Sequence, residues 1–203
     1  MIRIFSVLAV SLAFGGFLAW SWAAWPIRPG WIGAALVVAV AFLVRRRWRQ
    51  RRLATGDDPG ARERQSWHAM AGTGVVCGHL IASLASGLDL HLGSGNTLAV
   101  DNWTLIAGVG LAWLALRPRQ MDRDERDREM ANRGARAGFA AMTGLLIALL
   151  LTLGFAPPPV LDQLDPFMLG NVLVVVILLA FLARYAAQLV GYWQSSRPGP
   201  DDG

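Results

Sequence analysis

His79 is read as the one titratable side chain set well inside an apolar block. Gly72, Ser83 and Ser86 fall roughly on the same helical face. An ionisable group at that depth is costly in lipid, which makes His79 a candidate functional polar residue, lining a transport or channel pathway. The plainer reading, and the favoured one, is a neutral imidazole hydrogen-bonded to a serine or a backbone carbonyl inside a helical bundle.

The remaining chemistry-bearing residues assemble no recognisable site. His68 and His79 are eleven residues apart in one block, about 16 Å of rise at ~1.5 Å per residue, so they cannot ligate one haem axially. Apart from His91 in the next polar stretch, no histidine follows to supply an opposite ligand. A His79 pair across a homodimer, or a His/Met site, has nothing in the sequence to recommend it. Asp89, His91 and Asp101 offer oxygen and imidazole donors around the turn Gly93-Ser94-Gly95-Asn96, at a spacing specific to no metal. Asp101 reads more economically as a helix N-cap beside Asn102. Serine catalysis within a membrane would need a histidine on another helix, and aspartyl catalysis two deep aspartates. Neither is present, nor is a phosphate-binding glycine loop. No catalytic, cofactor-binding or metal-ligating residue is assigned, and enzymatic activity is the less supported class.

The elements that must position these residues follow from composition. Hydrophobic residues make up 54% of 203 and charged residues 16%, and the charges are clustered instead of spread as on a soluble surface. The lone cysteine, Cys77, excludes a disulfide framework within the chain. Six apolar blocks, 4–24, 29–44, 66–87, 102–116, 137–156 and 167–190, are measured against the ~20 residues that a helix needs to cross ~30 Å of hydrocarbon. The second and fourth are short, and Arg45, Arg46 and Arg47 can lengthen the second by snorkelling. The blocks lack the alternation of a membrane barrel. The expectation is an all-α, polytopic transmembrane bundle of six spans forming one membrane domain with no separate soluble domain.

Orientation is carried by arginine. All nineteen basic residues are arginines, and fifteen of them lie in the connectors 45–65 and 117–136. The connectors at 25–30, 88–101 and 157–166 hold only Arg28 against four aspartates. The arginine-rich connectors are therefore expected in the cytoplasm, with both termini, in a bacterial inner membrane. A cleaved signal peptide is the alternative reading of the first span, although its apolar run is long for one.

The third span differs in kind. Gly74, Gly78, Ala82 and Ser86 recur every four residues and form a small-residue stripe for close helix packing, with the fourth span as the expected neighbour. The two connectors also differ. Arg45, Arg46, Arg47, Arg49, Arg51 and Arg52 form a dense band expected against anionic lipid headgroups, a better fit beside a membrane than nucleic acid. In 117–136, Asp122/Arg126, Asp124/Arg128 and Glu129/Arg133 are acid-first i,i+4 pairs on a helix expected to run on into the fifth span. Asp122, Asp124, Glu125, Arg126, Asp127, Arg128 and Glu129 are the candidate docking surface. The segment Asp124-Glu125-Arg126-Asp127, followed by Met130, Gly134-Ala135 and Phe139, resembles a box that precedes a membrane helix in uncharacterised small multipass proteins of prokaryotes. The resemblance implies topology and no catalytic residue.

The expected role is that of a non-enzymatic membrane component whose partners are anionic lipid and a cytoplasmic or membrane protein, with a homo-oligomer as a further option. The alternatives are a small transporter or channel subunit with a pathway lined by the third helix and, more weakly, a cofactor-binding redox subunit.

Overall fold

In the computed structural model, residues 1–20, 29–55, 60–86, 97–116, 125–161 and 166–195 are described. Among them are six long helices and one single turn: α1 (Ile2–Trp20), α2 (Pro29–Thr55), α3 (Ala61–Ala85), α4 (Thr97–Leu116), α5 (Glu125–Phe155), α6 (Pro158–Leu161) and α7 (Pro166–Ser195). No strand occurs among the described residues. The chain is an all-helical membrane bundle. Helices α1, α3, α5 and α7 are long and apolar enough to cross a membrane, and Val100–Leu116 of α4 is a shorter apolar helix.

Several boundaries move from their expected places for identifiable reasons. Helix α2 starts on Pro29, whose missing N–H costs nothing at a first helical position. It does not stop at Val44, because arginine is a good helix former and carries the helix through the cationic run to Thr55. Helix α4 begins at Thr97, so Asp101 lies inside it and is not its N-cap. Within the connector 157–166, Pro158–Leu161 closes a single helical turn. The expected continuity of the charged segment with the fifth span is present, as α5 runs unbroken for 31 residues. At ~1.5 Å per residue that is roughly 46 Å, well beyond a ~30 Å hydrocarbon core.

Contact registers give each helix its direction. Along α1 and α3, Ser11 meets Gly74 while Gly16 meets Ala82, so the two run parallel. Gly30 with Asp101 and Gly33 with Leu105 make α2 and α4 parallel as well. Helix α3 is antiparallel to α4, since His79 pairs with Asn102 and Gly72 faces Val109. It is also antiparallel to α7, through Ser66 with Gln188 and Leu80 with Val175. Met130 with Gly191 and Gly138 with Ala180 make α5 antiparallel to α7. Successive long helices therefore alternate in direction.

Helix α3 is the centre of the bundle. Of its most apolar window 61% is buried, against 28% for α1, 17% for α7 and 6% for α5. One core joins Ile4, Met70, Cys77, Leu182 and Leu189 from α1, α3 and α7. A second joins Leu18, Val75, Val76 and Leu105 from α1, α3 and α4. Helix α5 rests chiefly on α7, through Met130, Gly134 and Gly138, and its apolar half leaves Phe139, Leu150 and Phe155 bare for lipid.

Candidate functional site

The small-residue stripe of α3 packs chiefly on α1. A Cβ on Gly78 would fall on the Leu12 carbonyl, one on Gly74 on the Ser11 hydroxyl, and one on Gly15 on the Val75 carbonyl. Such backbone-to-backbone approach maximises dispersion contact where lipid supplies no hydrophobic drive. Ala82 lies at ordinary contact distance from Gly16, and Ser86 ends α3, exposed, with its hydroxyl donating to Ala82 O at 2.8 Å. The counterpart on α1, Ser11-Gly15-Ala19, repeats every four residues and could have been found by the same rule that found Gly74 and Gly78.

This packing buries a polar cluster near the end of the bundle away from the arginines. His79 and Ser83 are wholly buried, and Asp101 and Asn102 nearly so. His79 Nδ1–H donates to Asn102 Oδ1 at 3.0 Å, which ties α3 to α4. The Ser83 hydroxyl donates to its own helix at His79 O, 2.7 Å away. Asp101 sits against Gly30 in the first turn of α2, where the helix dipole favours negative charge. Nε2 of His79 has no hydrogen-bond partner among the described residues, and His79 lines neither the 890 Å³ cavity beside α3 nor the 200 Å³ pocket at the arginine-rich end. Asp89 and His91 lie outside the described residues. Among the described residues no group of three or more metal-ligating side chains converges.

A second polar cluster occupies the arginine-rich end, where α3, α5 and α7 meet. The Tyr192 hydroxyl donates to Asp127 at 2.6 Å, and Arg62 lies 3.6 Å from the same carboxylate. Arg126 donates to the Ser195 hydroxyl at 3.0 Å and to Tyr192 O at 3.3 Å, with its guanidinium 5.5 Å from the Tyr192 ring. Ser66 donates to Gln188 Oε1 at 2.8 Å, deeper in the bundle.

The proposed docking residues thus divide. Arg126, although exposed, is hydrogen-bonded to α7 and Asp127 is half-buried against Tyr192, whereas Glu125, Arg128 and Glu129 are exposed and make no such bond among the described residues. Asp122 and Asp124 lie outside the described residues, and no ion pair closes between Glu129 and Arg133 among those described. From the box that precedes the membrane part of α5, Met130 and Gly134 pack on α7 while Phe139 faces outward.

The arginine band is helical and anchored. Arg45 donates to Ala115 O at 2.6 Å and so caps the last turn of α4. Arg46, Arg47 and Arg49 are exposed, and the side chains of Arg51 and Arg52 lie outside the described set. Trp48 meets the edge of His68 at 5.0 Å between ring centroids, and Arg64 stands 5.4 Å from the Trp48 ring.

One ionisable residue escaped the sequence reading. Arg184 lies within 167–190, six positions before its end, so His79 is not alone at depth. The cue was present, as one arginine in an otherwise uncharged block. Its guanidinium lies 5.9 Å from the Tyr185 ring, and among the described residues it has no acidic partner within 4.0 Å. Arg184 and Gln188 also line a pocket of about 200 Å³ with Arg62, Ser66, Asp127 and Tyr192. The chain matches no family model, no curated protein and no solved structure.

Proposed function

We propose that the chain is a non-enzymatic component of a bacterial inner membrane, with six spans and both termini in the cytoplasm, that docks a cytoplasmic protein through the projecting start of α5. One observation carries this reading. Arg126 and Asp127 fasten the first turns of α5 to α7 and α3, while Glu125, Arg128 and Glu129 point outward from that fixed base. A rigid, exposed array of both charge signs favours a specific partner, because complementary charge raises encounter rates and wrong partners meet like charges. Anionic headgroups suit the exposed Arg46, Arg47 and Arg49.

Reversing all three charges, Glu125→Arg, Arg128→Glu and Glu129→Arg, tests the docking surface. The expected result is loss of a copurifying cytoplasmic protein, identified by mass spectrometry, with membrane insertion and yield unchanged. Retention of the same partner at the same level would refute the reading. The transport alternative draws its support from another place: a cavity of about 890 Å³ is lined by His68, Ala69, Gly72 and Val75 of the third helix.

A further inference from the structure

A cavity of about 890 Å³ lies beside α3 and is walled by residues of α1, α2, α4 and α7. Its walls are chiefly aliphatic and aromatic, among them Val37, Val109 and Phe181. Of its polar liners, Ser11 is satisfied by donating to Leu8 O at 2.9 Å. Val10, Val40 and Phe181 keep 68%, 51% and 40% of their surface uncovered, which leaves apolar area for an occupant to cover. The cavity volume falls within the ~300–1,000 Å³ typical of ligand pockets.

At the arginine-rich end this cavity meets the polar pocket of about 200 Å³ along Ala69, Trp113 and Tyr185, which line both. Two arginines, Arg62 and Arg184, stand in the polar pocket against one aspartate, leaving one positive charge. Asp127 is engaged by Arg62 and Tyr192. The cation left over is Arg184, set six residues inside the span, about 9 Å from its end at ~1.5 Å per residue. A charge at that depth is stabilised by an anion, and the acidic headgroup of a lipid supplies one while its chain enters the apolar cavity.

We propose that the joined cavities form a binding site for an anionic phospholipid, with an acyl chain between α3 and the α2/α4 pair and the phosphate beside Arg184. This goes beyond partner docking and stands or falls separately from it, since Glu125, Arg128 and Glu129 line neither cavity.

The test is native mass spectrometry of the full chain in mild detergent, supplied in separate arms with phosphatidylglycerol, phosphatidylcholine of the same acyl chains, or inorganic phosphate. The wild-type chain is expected to retain phosphatidylglycerol at least tenfold over phosphatidylcholine and to show no phosphate adduct. Arg184→Gln should bring phosphatidylglycerol down to the phosphatidylcholine level, whereas Arg184→Lys keeps the preference. Ala71→Phe, filling the apolar cavity, should lose both lipids. Arg46→Gln with Arg47→Gln, in the exposed band, should change nothing. Equal retention of the two lipids by wild type would overturn the proposal, as would phosphate binding alone or a preference that survives Arg184→Gln. Loss on changing only the exposed band would place the lipid on the surface and likewise refute the site. If Arg184→Gln fails to fold, Arg184→Lys and Ala71→Phe still decide the matter.

Discussion

The two polar clusters lie at opposite ends of α3 and are built on opposite plans. Around His79 every helix contact closes inward: glycines bring α1 onto α3, Asn102 takes the imidazole proton, and neither cavity reaches the ring. Around Asp127 and Arg184 the polar groups border a pocket, and the pocket borders a larger apolar space. A buried polar group in a membrane is therefore not by itself a site. What separates a fastening from a site is whether free volume and unspent charge reach it.

That distinction can be broken experimentally, and the largest effect should come from the closed end. Gly78→Leu drives a side chain into the Leu12 carbonyl and should cost about 3 kcal/mol, the upper part of the usual overpacking range, because backbone cannot move aside as a side chain can. A denaturant midpoint in detergent that stays within error of wild type would mean the α1/α3 contact is looser than described. Next comes the open end. Asp127→Ala removes the acceptor of the Tyr192 hydroxyl and the carboxylate beside Arg62 and should cost ~2 kcal/mol, as for hydrogen bonds to charged groups, measured in the same way. It should also weaken the hold on α5, so that protease cleaves near Glu125 several times faster. An unchanged cleavage rate would show that Asp127 does not anchor α5. Smallest is Asn102→Ala, which removes one interhelical hydrogen bond and should cost about 0.6 kcal/mol, the average for such bonds in membranes. Phosphatidylglycerol retention should not change in that variant. If it falls tenfold, the His79 cluster is coupled to the ligand and the contrast between the two ends collapses.

Much of the bundle was legible in the chain. The third helix as centre followed from Gly74 and Gly78, because small residues at a four-residue period have few uses in lipid other than close packing. The unbroken α5 followed from charge pairs at helical spacing leading into an apolar run. The helix onto which the stripe packs was also written in the sequence, in Ser11, Gly15 and Ala19, but a neighbour adjacent along the chain was expected. Helices α1 and α3 meet across an intervening helix, and such pairing is decided by which grooves fit, a tertiary property no single segment carries. The placement of Asp101 went astray because a capping residue and a buried acid look alike until the helix start is known, and Thr97 begins the helix one turn earlier. The engagement of Arg126 and Asp127 was likewise beyond reach, since it depends on Tyr192 arriving from the last helix.

The parallel pairing of α1 with α3 and of α2 with α4 carries a consequence for biosynthesis. Contacts between α1 and α2 are sparse, so these two helices do not form a packed hairpin with each other. Each must wait, inserted but undocked, for a mate synthesised two helices later, and the α1/α3 seam closes only when the glycines of α3 arrive. The chain therefore assembles as two interleaved pairs, and a break in the stretch 56–59 would separate both pairs at once. Fragments 1–57 and 58–203, synthesised as separate polypeptides in one cell, each hold half of both seams and have a defined way to find one another.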